Sequence, residues 1–284
     1  MKKTLYSGLA LAMSLLFVSC SDKLENQAIE DGMAEVTFSV DVESAALTRA
    51  ISDGTGADQL MWAVFNEDGE LLVKKSVIDN ADALISDKGY SFSTSLAKGL
   101  TYKAVFWAQN PECTAYTVSD DMKVSIDYTG VNNDELRDAF FATSEPFTLR
   151  ASTDVSVVLK RPFAQINVGA DPWDVEFAQN AGLEVKTSAA TIKAVPNSLN
   201  LFDGSVEGSV DVEYTSAAIP QEDLNIDADK NGQTESYNWL SISYILAPKD
   251  GGQYTMSFTF AGEDGTDSFE FGDILGAVPA KRNW

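Results

Sequence analysis

The chain has 284 residues but no histidine and only two cysteines, and these shortages exclude several kinds of chemistry. Without histidine it lacks the commonest general base, the commonest metal ligand and the ordinary Ser-His-Asp triad. If Cys20 is lipidated, Cys113 is the single remaining thiol and cannot form an intramolecular disulfide. The sequence also contains no Gly-rich phosphate loop, Cys/His metal cluster or heptad repeat. These absences predict a protein that is not an enzyme and needs no cofactor.

Basic residues are scarce as well: 20 Lys and Arg stand against 43 Asp and Glu, for a net charge of −23. Nucleic-acid phosphates and anionic lipid headgroups attract basic faces, so this balance argues against both as partners. Such acidity is typical of proteins kept soluble outside the cell. A carboxylate pair could still hydrolyse glycosides, but the sequence singles out no pair.

The first 20 residues have the layout of a lipoprotein signal peptide. Lys2 and Lys3 form a positive start, residues 9–18 are apolar, and the segment ends at Ser19-Cys20. The apolar stretch is shorter than the roughly 20 residues that span a bilayer. A small residue before the cysteine resembles a lipobox, which predicts cleavage and acylation of Cys20, a stable anchor when several acyl chains are attached. The alternative is an ordinary cleaved signal followed by a coincidental cysteine.

Residues 21–34 are polar and predict a tether between the anchor and the folded protein. Its first part, Ser21-Asp22-Lys23-Leu24-Glu25, resembles the short acidic export tags of surface lipoproteins of Bacteroidota. That resemblance implies display on the outer face of the outer membrane.

Alternation of apolar and polar residues predicts many short strands. In residues 35–42, Val36, Phe38, Val40 and Val42 alternate with polar side chains, as in a half-buried strand. Three hairpins are predicted next, namely residues 60–65 with 70–74 across an Asp-Gly turn, 90–96 with 101–109, and 145–150 with 153–160. Asn133 to Phe141 is the best helix candidate, because Asn133 can cap it and acidic residues follow.

A second series of strands begins after Arg161-Pro162. We predict strands at residues 163–169, 183–187, 189–195, 206–214, 239–246, 253–261 and 268–271, with a hairpin turn at residues 262–265. Many short strands with one short helix predict an all-β fold of two tandem β-sandwich domains. We place the N-terminal sandwich at residues 35–160 and the C-terminal one at residues 161–284.

Three features together resemble the fimbrillin-like family of Bacteroidota, the subunits of type V pili and their relatives. They are the acylated leader, a strand followed by Thr48-Arg49-Ala50, and the stretch LKRPFAQINV at residues 159–168. The resemblance covers nearly the whole mature chain and implies transthyretin-like sandwiches. It also implies a surface pilus (fimbrium) component or adhesin of the outer membrane.

The resemblance further implies a mechanism of assembly. In the family a trypsin-like protease cuts after an arginine that follows the first strand, here between Arg49 and Ala50, so residues 35–49 would be removed. A sandwich that lacks one strand exposes unpaired backbone groups and an apolar slot, which a strand of the neighbouring subunit can fill. Family chains usually continue past an Arg-Asn-aromatic segment, here residues 282–284, so we expect the final strand or strands of the C-terminal sandwich to be missing.

Two further patterns are candidates for ligand sites. Asp227, Asp229 and Asn231 occupy the first, third and fifth positions of a calcium-type loop, but the twelfth position is not Glu and the segment reads equally as an acidic connection. Trp173 lies in a polar segment, whereas other tryptophans lie in apolar strands. Trp173 is therefore the candidate for stacking on a sugar. It supports the alternative function, a surface glycan-binding lipoprotein associated with polysaccharide uptake. The expected partners then include a host or glycan ligand.

Overall fold

The computed structural model describes residues 32–42, 56–79, 90–227, 231–263, 265, 267–271 and 278–282. Its first ten strands are β1 (Met33–Val42), β2 (Gln59–Asn66), β3 (Leu71–Ile78), β4 (Tyr90–Ala97), β5 (Thr101–Gln109), β6 (Tyr116–Val118), β7 (Lys123–Ile126), β8 (Ala139–Thr143), β9 (Phe147–Thr148) and β10 (Thr153–Leu159).

The second half contains a single α-helix among the described residues, α1 (Pro172–Asn180). Its strands are β11 (Phe163–Ala170), β12 (Thr187–Val195), β13 (Ser198–Asn200), β14 (Val206–Glu207), β15 (Val210–Ala218), β16 (Asp223–Ile226), β17 (Glu235–Leu246), β18 (Gly252–Tyr254), β19 (Met256–Ala261), β20 (Ser268–Phe271) and β21 (Val278–Ala280). The predicted all-β sandwich fold is confirmed. No helix in these described ranges has the length and apolarity that a membrane span requires.

Two sheets form the first sandwich. One has the strand order β10-β1-β4, and the other has the order β3-β2-β5-β8, with β9 also paired to β5. Phe38 of β1, Trp62 of β2 and Phe106 of β5 belong to one buried cluster between the sheets. The sandwich therefore depends on apolar side chains contributed by both sheets, as sheet-on-sheet packing requires.

Strands β2 and β5 are buried on both faces. Val64 and Phe106 face the cluster of the first sandwich, whereas Phe65 and Trp107 belong to a second, larger cluster. A strand buried on both sides needs apolar residues at successive positions, which explains the runs LMWAVF and AVFWA in the sequence.

The larger cluster is enclosed by the remaining sheets, which have the orders β11-β17-β16, β15-β12-β19-β20, β14-β13-β7-β6 and β18-β21. The sheet β14-β13-β7-β6 combines strands from before and after residue 160. The division of the chain into domains near that residue stays a prediction.

The loop from residue 127 to residue 138 fastens the first half of the chain to the second. Asn132 is 1% exposed and donates to the Ser188 and Ser241 hydroxyls at 3.0 and 2.8 Å, while the Ser243 hydroxyl donates to it at 2.7 Å. Three hydrogen bonds thus satisfy an amide that would be costly to bury unpaired.

The helix predicted at residues 133–141 is wrong. The structure has a 3-10 turn at Glu135–Arg137 capped by Asp134, followed directly by β8. Residues 139–143 pair with β5 instead, and Phe140 is buried in the first sandwich. Tertiary pairing with a buried strand has overridden a local helical pattern. The α-helix is α1, where Asp171 caps the N-terminus and Pro172 occupies the first turn.

Several predicted strand pairings also differ from the structure. Residues 145–150 and 153–160 form no hairpin, because β9 pairs with β5 and β10 pairs in parallel with β1. Strands β4 and β5 are consecutive but lie in different sheets. The strand predicted at residues 183–187 is wrong, since residues 183–186 form no strand and β12 begins at Thr187. The hairpins β2–β3 and β19–β20 are confirmed.

Candidate functional site

The first strand of the described chain lies in the middle of a sheet. Val36 to Val42 pair in parallel with Thr153 to Leu159 of β10, and Met33 to Val40 pair antiparallel with Tyr90 to Ala97 of β4. Both edges of β1 are thus hydrogen-bonded to strands that come later in the sequence. Without β1, a slot would separate β10 from β4 and leave a row of unpaired backbone groups on each.

Alternate side chains of β1 fill the floor of this slot. Ala34, Val36, Phe38 and Val40 are buried, and three of them have no exposed area. Phe38 is the central contact, since its ring lies 5.4 Å from Phe106 and 5.5 Å from Phe92, centroid to centroid. The alternation seen in the sequence therefore corresponds to one apolar face packed against the opposite sheet.

The energetic weight of β1 is large. Burying each Val or Phe side chain contributes about 1.5–3 kcal/mol, so the three larger side chains together contribute about 5–9 kcal/mol. Whole domains are stable by only about 5–15 kcal/mol. A chain that lost β1 without a replacement would therefore be close to unfolding.

The predicted processing and anchoring residues, Cys20, Arg49 and Ala50, lie outside the described residues. The described chain ends at Val42 in one sheet and resumes at Gly56, shortly before β2 in the opposite sheet. The connection that carries Arg49 therefore joins the two layers of the first sandwich. A cut there would separate β1 covalently from every other described strand.

The candidate sugar-stacking residue lies on α1. Trp173 is 80% exposed and Phe177, one turn later, is 77% exposed. Residues four apart share one face of a helix, so the two rings form an exposed aromatic pair. No residue of this nine-residue helix is buried. Sequence reasoning missed Phe177, although the Asp171-Pro172 helix start would have placed it on the face of Trp173.

The other tryptophans within the described residues are part of the core, as the sequence predicted. Trp62, Trp107 and Trp239 are buried. The indole N–H of Trp107 donates to Gln109 at 2.7 Å and that of Trp239 donates to the Ser241 carbonyl at 2.9 Å. The indole N–H groups of Trp107 and Trp239 are thus satisfied internally, and Trp173 is the exposed tryptophan of the described residues.

The candidate calcium loop is only partly described, since Asp229 lies outside the described residues. The two carboxylate oxygens of Asp227 accept from the backbone N–H groups of Asn231 and Gly232 at 2.9 and 3.0 Å. The Asn231 side-chain oxygen accepts from the Gln233 N–H at 2.7 Å. These bonds hold the turn together. Across the described residues, no group of three or more Cys, Asp or Glu side chains has a metal-binding arrangement.

The thiol of Cys113 and the phenols of three tyrosines are buried in the larger cluster. Cys113 is free, and burial raises the pKa of its thiol, which disfavours a reactive thiolate. Burial likewise raises the pKa of Tyr116, Tyr128 and Tyr214. The phenol of Tyr128 donates to the Pro196 carbonyl at 2.8 Å, so it serves as a structural tie.

Comparison with solved structures places the fold in a known class. A structure described as "putative polysaccharide binding proteins (DUF1812)" from Bacteroides thetaiotaomicron has a TM-score of 0.52 at 12% identity, over 84% of this chain and 79% of that one. At this identity the likeness shows a shared fold, the all-β sandwich.

Two other solved structures cover most of the chain. A "putative cell adhesion protein" from Bacteroides uniformis has 13% identity and a TM-score of 0.49 over 88% of this chain and 89% of that one. The fimbrial anchor protein Mfa2 from Porphyromonas gingivalis has 15% identity and a TM-score of 0.46 over 86% and 83%. No curated protein matches the sequence.

The model of one protein family, described as a family of unknown function (DUF6562), matches residues 27–284. The chain belongs to this family.

Proposed function

We propose that this chain is a cell-surface subunit of a fimbria or adhesin, and that after β1 is cut off a strand of the neighbouring subunit takes its place. The observation that carries the proposal is the position of β1 between β10 and β4, with Phe38 buried at its centre. Because β1 precedes every other described strand, a single cut after it breaks its covalent link to the rest of the chain. The cut leaves the other described strands joined in one chain. No enzymatic activity is part of the proposal.

The sequence supplies the cut and the anchor of this proposal. Arg49 is the only basic residue between Lys23 and Lys74, so a protease specific for basic residues meets one site in that stretch. Acylated Cys20 would hold the chain at the outer membrane until the cut between Arg49 and Ala50 releases it. A neighbour's strand would then supply both the backbone hydrogen bonds and the apolar side chains that β1 had supplied.

A strand-replacement experiment tests the proposal. Residues 21–284 are treated briefly with trypsin, and mass spectrometry identifies a product that begins at Ala50. A fluorescent peptide of residues 33–42 is then added in excess, and its incorporation is followed by anisotropy and gel filtration. We expect the cut protein to take up the peptide as the original strand leaves.

Two matched controls make the result specific. The uncut variant Arg49→Gln should not exchange, because its own β1 is still tethered. A peptide with Phe38→Ser should compete poorly, since it lacks the central contact of the slot. Equal uptake of both peptides, or no uptake by the cut protein, would contradict strand exchange.

The exposed aromatic pair favours a second candidate function, the binding of a surface glycan. Trp173 and Phe177 present two rings to solvent on a helix that has no buried residue. Exposed rings of this kind suit the apolar C–H face of a sugar ring. One neighbour in fold is described as putatively polysaccharide-binding, which agrees with this candidate.

A further inference from the structure

A cavity of about 530 Å³ lies where the ends of β8 and β10 meet the turn after β13. Phe141 of β8 and Lys160, which follows β10, exchange two backbone hydrogen bonds of 2.9 Å along one wall. The turn of Phe202, Asp203 and Gly204 also lines the cavity, as do Lys249 and Arg282. No lining residue belongs to β1 or α1, although Val158 of β10 lies in the lining and pairs with Asp41 of β1.

The charge of this cavity is opposite to that of the protein. Five of the 20 basic residues of the chain line it, namely Lys103, Lys160, Arg161, Lys249 and Arg282. Arg161 is compensated by Asp138, which it binds through two hydrogen bonds. Lys103, Lys249 and Arg282 face two lining carboxylates, Glu145 and Asp203. The pocket thus carries a net positive charge within a chain of net charge −23, and it attracts an anionic ligand.

Two of the cations are held in place beside aromatic rings. The Arg282 guanidinium donates to the Ala247 and Gly204 carbonyls, both at 2.7 Å, and lies over the Phe141 ring at 5.4 Å from its centroid. The Lys103 ammonium lies over the Phe202 ring at 4.4 Å. These contacts fix the cations before any ligand arrives, which lowers the entropic cost of binding.

The carboxylates of the cavity restrict the chemistry of its ligand. Burial alone would raise the pKa of Asp203, but hydrogen bonds from Ser205 and the charge of Lys103 hold that pKa below its usual range. Asp203 is thus an ionised acceptor among cations. A ligand that carried only negative charge would be repelled by it, whereas a ligand with both acidic groups and hydroxyls can use the cations and the carboxylates together.

We propose that this cavity binds an acidic saccharide, a unit of two or three sugars bearing carboxylate or sulfate groups. The volume lies in the range of small-ligand pockets and exceeds what one inorganic anion fills. The half-buried rings of Phe141 and Phe202 offer apolar surface to the C–H face of a sugar, and the cations bind its acidic groups. No residue of β1 lines the cavity, and binding is measured on the uncut chain, so the result is distinguishable from that of strand exchange.

Titration calorimetry on residues 21–284 with trigalacturonic acid and its neutral counterpart galactotriose tests this assignment. We expect the acid to bind at least about tenfold more tightly, and Lys103→Gln or Lys249→Gln to weaken it by about tenfold each, as expected for the loss of one charged hydrogen bond. Lys193→Gln is the matched control. It removes the same charge from an exposed ion pair with Asp211 elsewhere and should bind as the unaltered chain does.

Three results would overturn the proposal. The first is equal binding of the acidic and neutral trisaccharides. The second is the same loss of affinity in Lys193→Gln as in Lys249→Gln, since this would indicate a general charge effect. The third is equal affinity for sodium sulfate or a polyglutamate peptide, since a simple anion site would then explain the data. Thermal unfolding of each variant verifies that it is folded, and Lys249 is exposed, so its substitution should leave the fold intact.

Discussion

Arg161 and Asp138 form a buried, two-pronged ion pair. The Nε and Nη2 atoms of Arg161 donate to the two carboxylate oxygens of Asp138 at 2.7 and 2.8 Å, and the side chains are 3% and 6% exposed. The Arg161 guanidinium also lies 4.7 Å from the centroid of the Phe140 ring. The pair joins the start of β8 to the link between β10 and β11, so it lies at the junction of the two halves of the chain.

Asp138→Asn should therefore destabilise the protein strongly. It leaves a buried guanidinium without its counter-charge, and breaking a buried pair in this way costs about 3–5 kcal/mol. Urea unfolding followed by tryptophan fluorescence would measure the loss. The control is Asp211→Asn, which breaks an exposed pair with Lys193 and should cost less than about 1 kcal/mol. Similar losses in both variants would contradict the special role of Asp138.

The central contact of β1 gives a second prediction. Phe38→Ala should lower the free energy of unfolding by about 3–5 kcal/mol, because it removes a fully buried ring that contacts Phe92 and Phe106. Glu35→Ala, on the exposed face of the same strand, should change it by less than about 0.5 kcal/mol. Chemical denaturation of both variants would compare them, and a small loss for Phe38→Ala would mean that β1 is weakly held.

The sequence predicts local features of this fold well. Alternation identifies β1, and the Asp68-Gly69 turn identifies the β2–β3 hairpin. The continuous apolar runs around Trp62 and Trp107 agree with strands buried on both faces. Each of these signals is contained in a few neighbouring residues and depends only on side-chain period and turn geometry.

The features that failed depend on distant partners. The parallel pairing of Val36 with Thr153 cannot be predicted from the sequence of either strand. Alternation shows which face of a strand is buried, but it does not show which strand lies beside it. The helix predicted to start at Asn133 fails because Phe140 fills a distant core and Asp138 meets Arg161. The cations that line the cavity of about 530 Å³ are spread along the sequence from Lys103 to Arg282, so no sequence motif predicts them.

The buried amide at the junction of the two halves gives a third prediction. Asn132→Ala should cost about 2–4 kcal/mol, because it removes the hydrogen-bond partner of the buried Ser241 and Ser243 hydroxyls. Asn225→Ala removes an exposed amide whose bond to the Asp223 carbonyl is local, and it should be nearly neutral. Differential scanning calorimetry would compare the two. Equal melting temperatures would mean that the loop of Asn132 contributes little to the junction.

The buried phenols predict a loss of stability in alkali. Burial raises the pKa of Tyr116, Tyr128 and Tyr214. The folded state therefore keeps these protons at a pH where the tyrosines of the unfolded chain, whose pKa is about 10, release them. Stability is therefore unaffected by these groups below about pH 10 and falls as pH rises above it. Absorbance at 295 nm and circular dichroism, recorded together from pH 8 to 13, would test this. Ionisation of all tyrosines near pH 10 without loss of structure would contradict it.

The aromatic pair on α1 gives a prediction that separates binding from stability. Trp173→Ala should leave the free energy of unfolding within about 0.5 kcal/mol, because the ring is 80% exposed and packs in no core. If the pair stacks on a sugar, the same variant should lose binding on a glycan array, and Phe177→Ala should lose part of it. Leu100→Ala, a change at another exposed apolar residue, is the control and should bind normally. Unchanged glycan binding in Trp173→Ala would exclude α1 as the glycan site. It would not bear on the cavity lined by Lys103 and Arg282, since no residue of α1 lines that cavity.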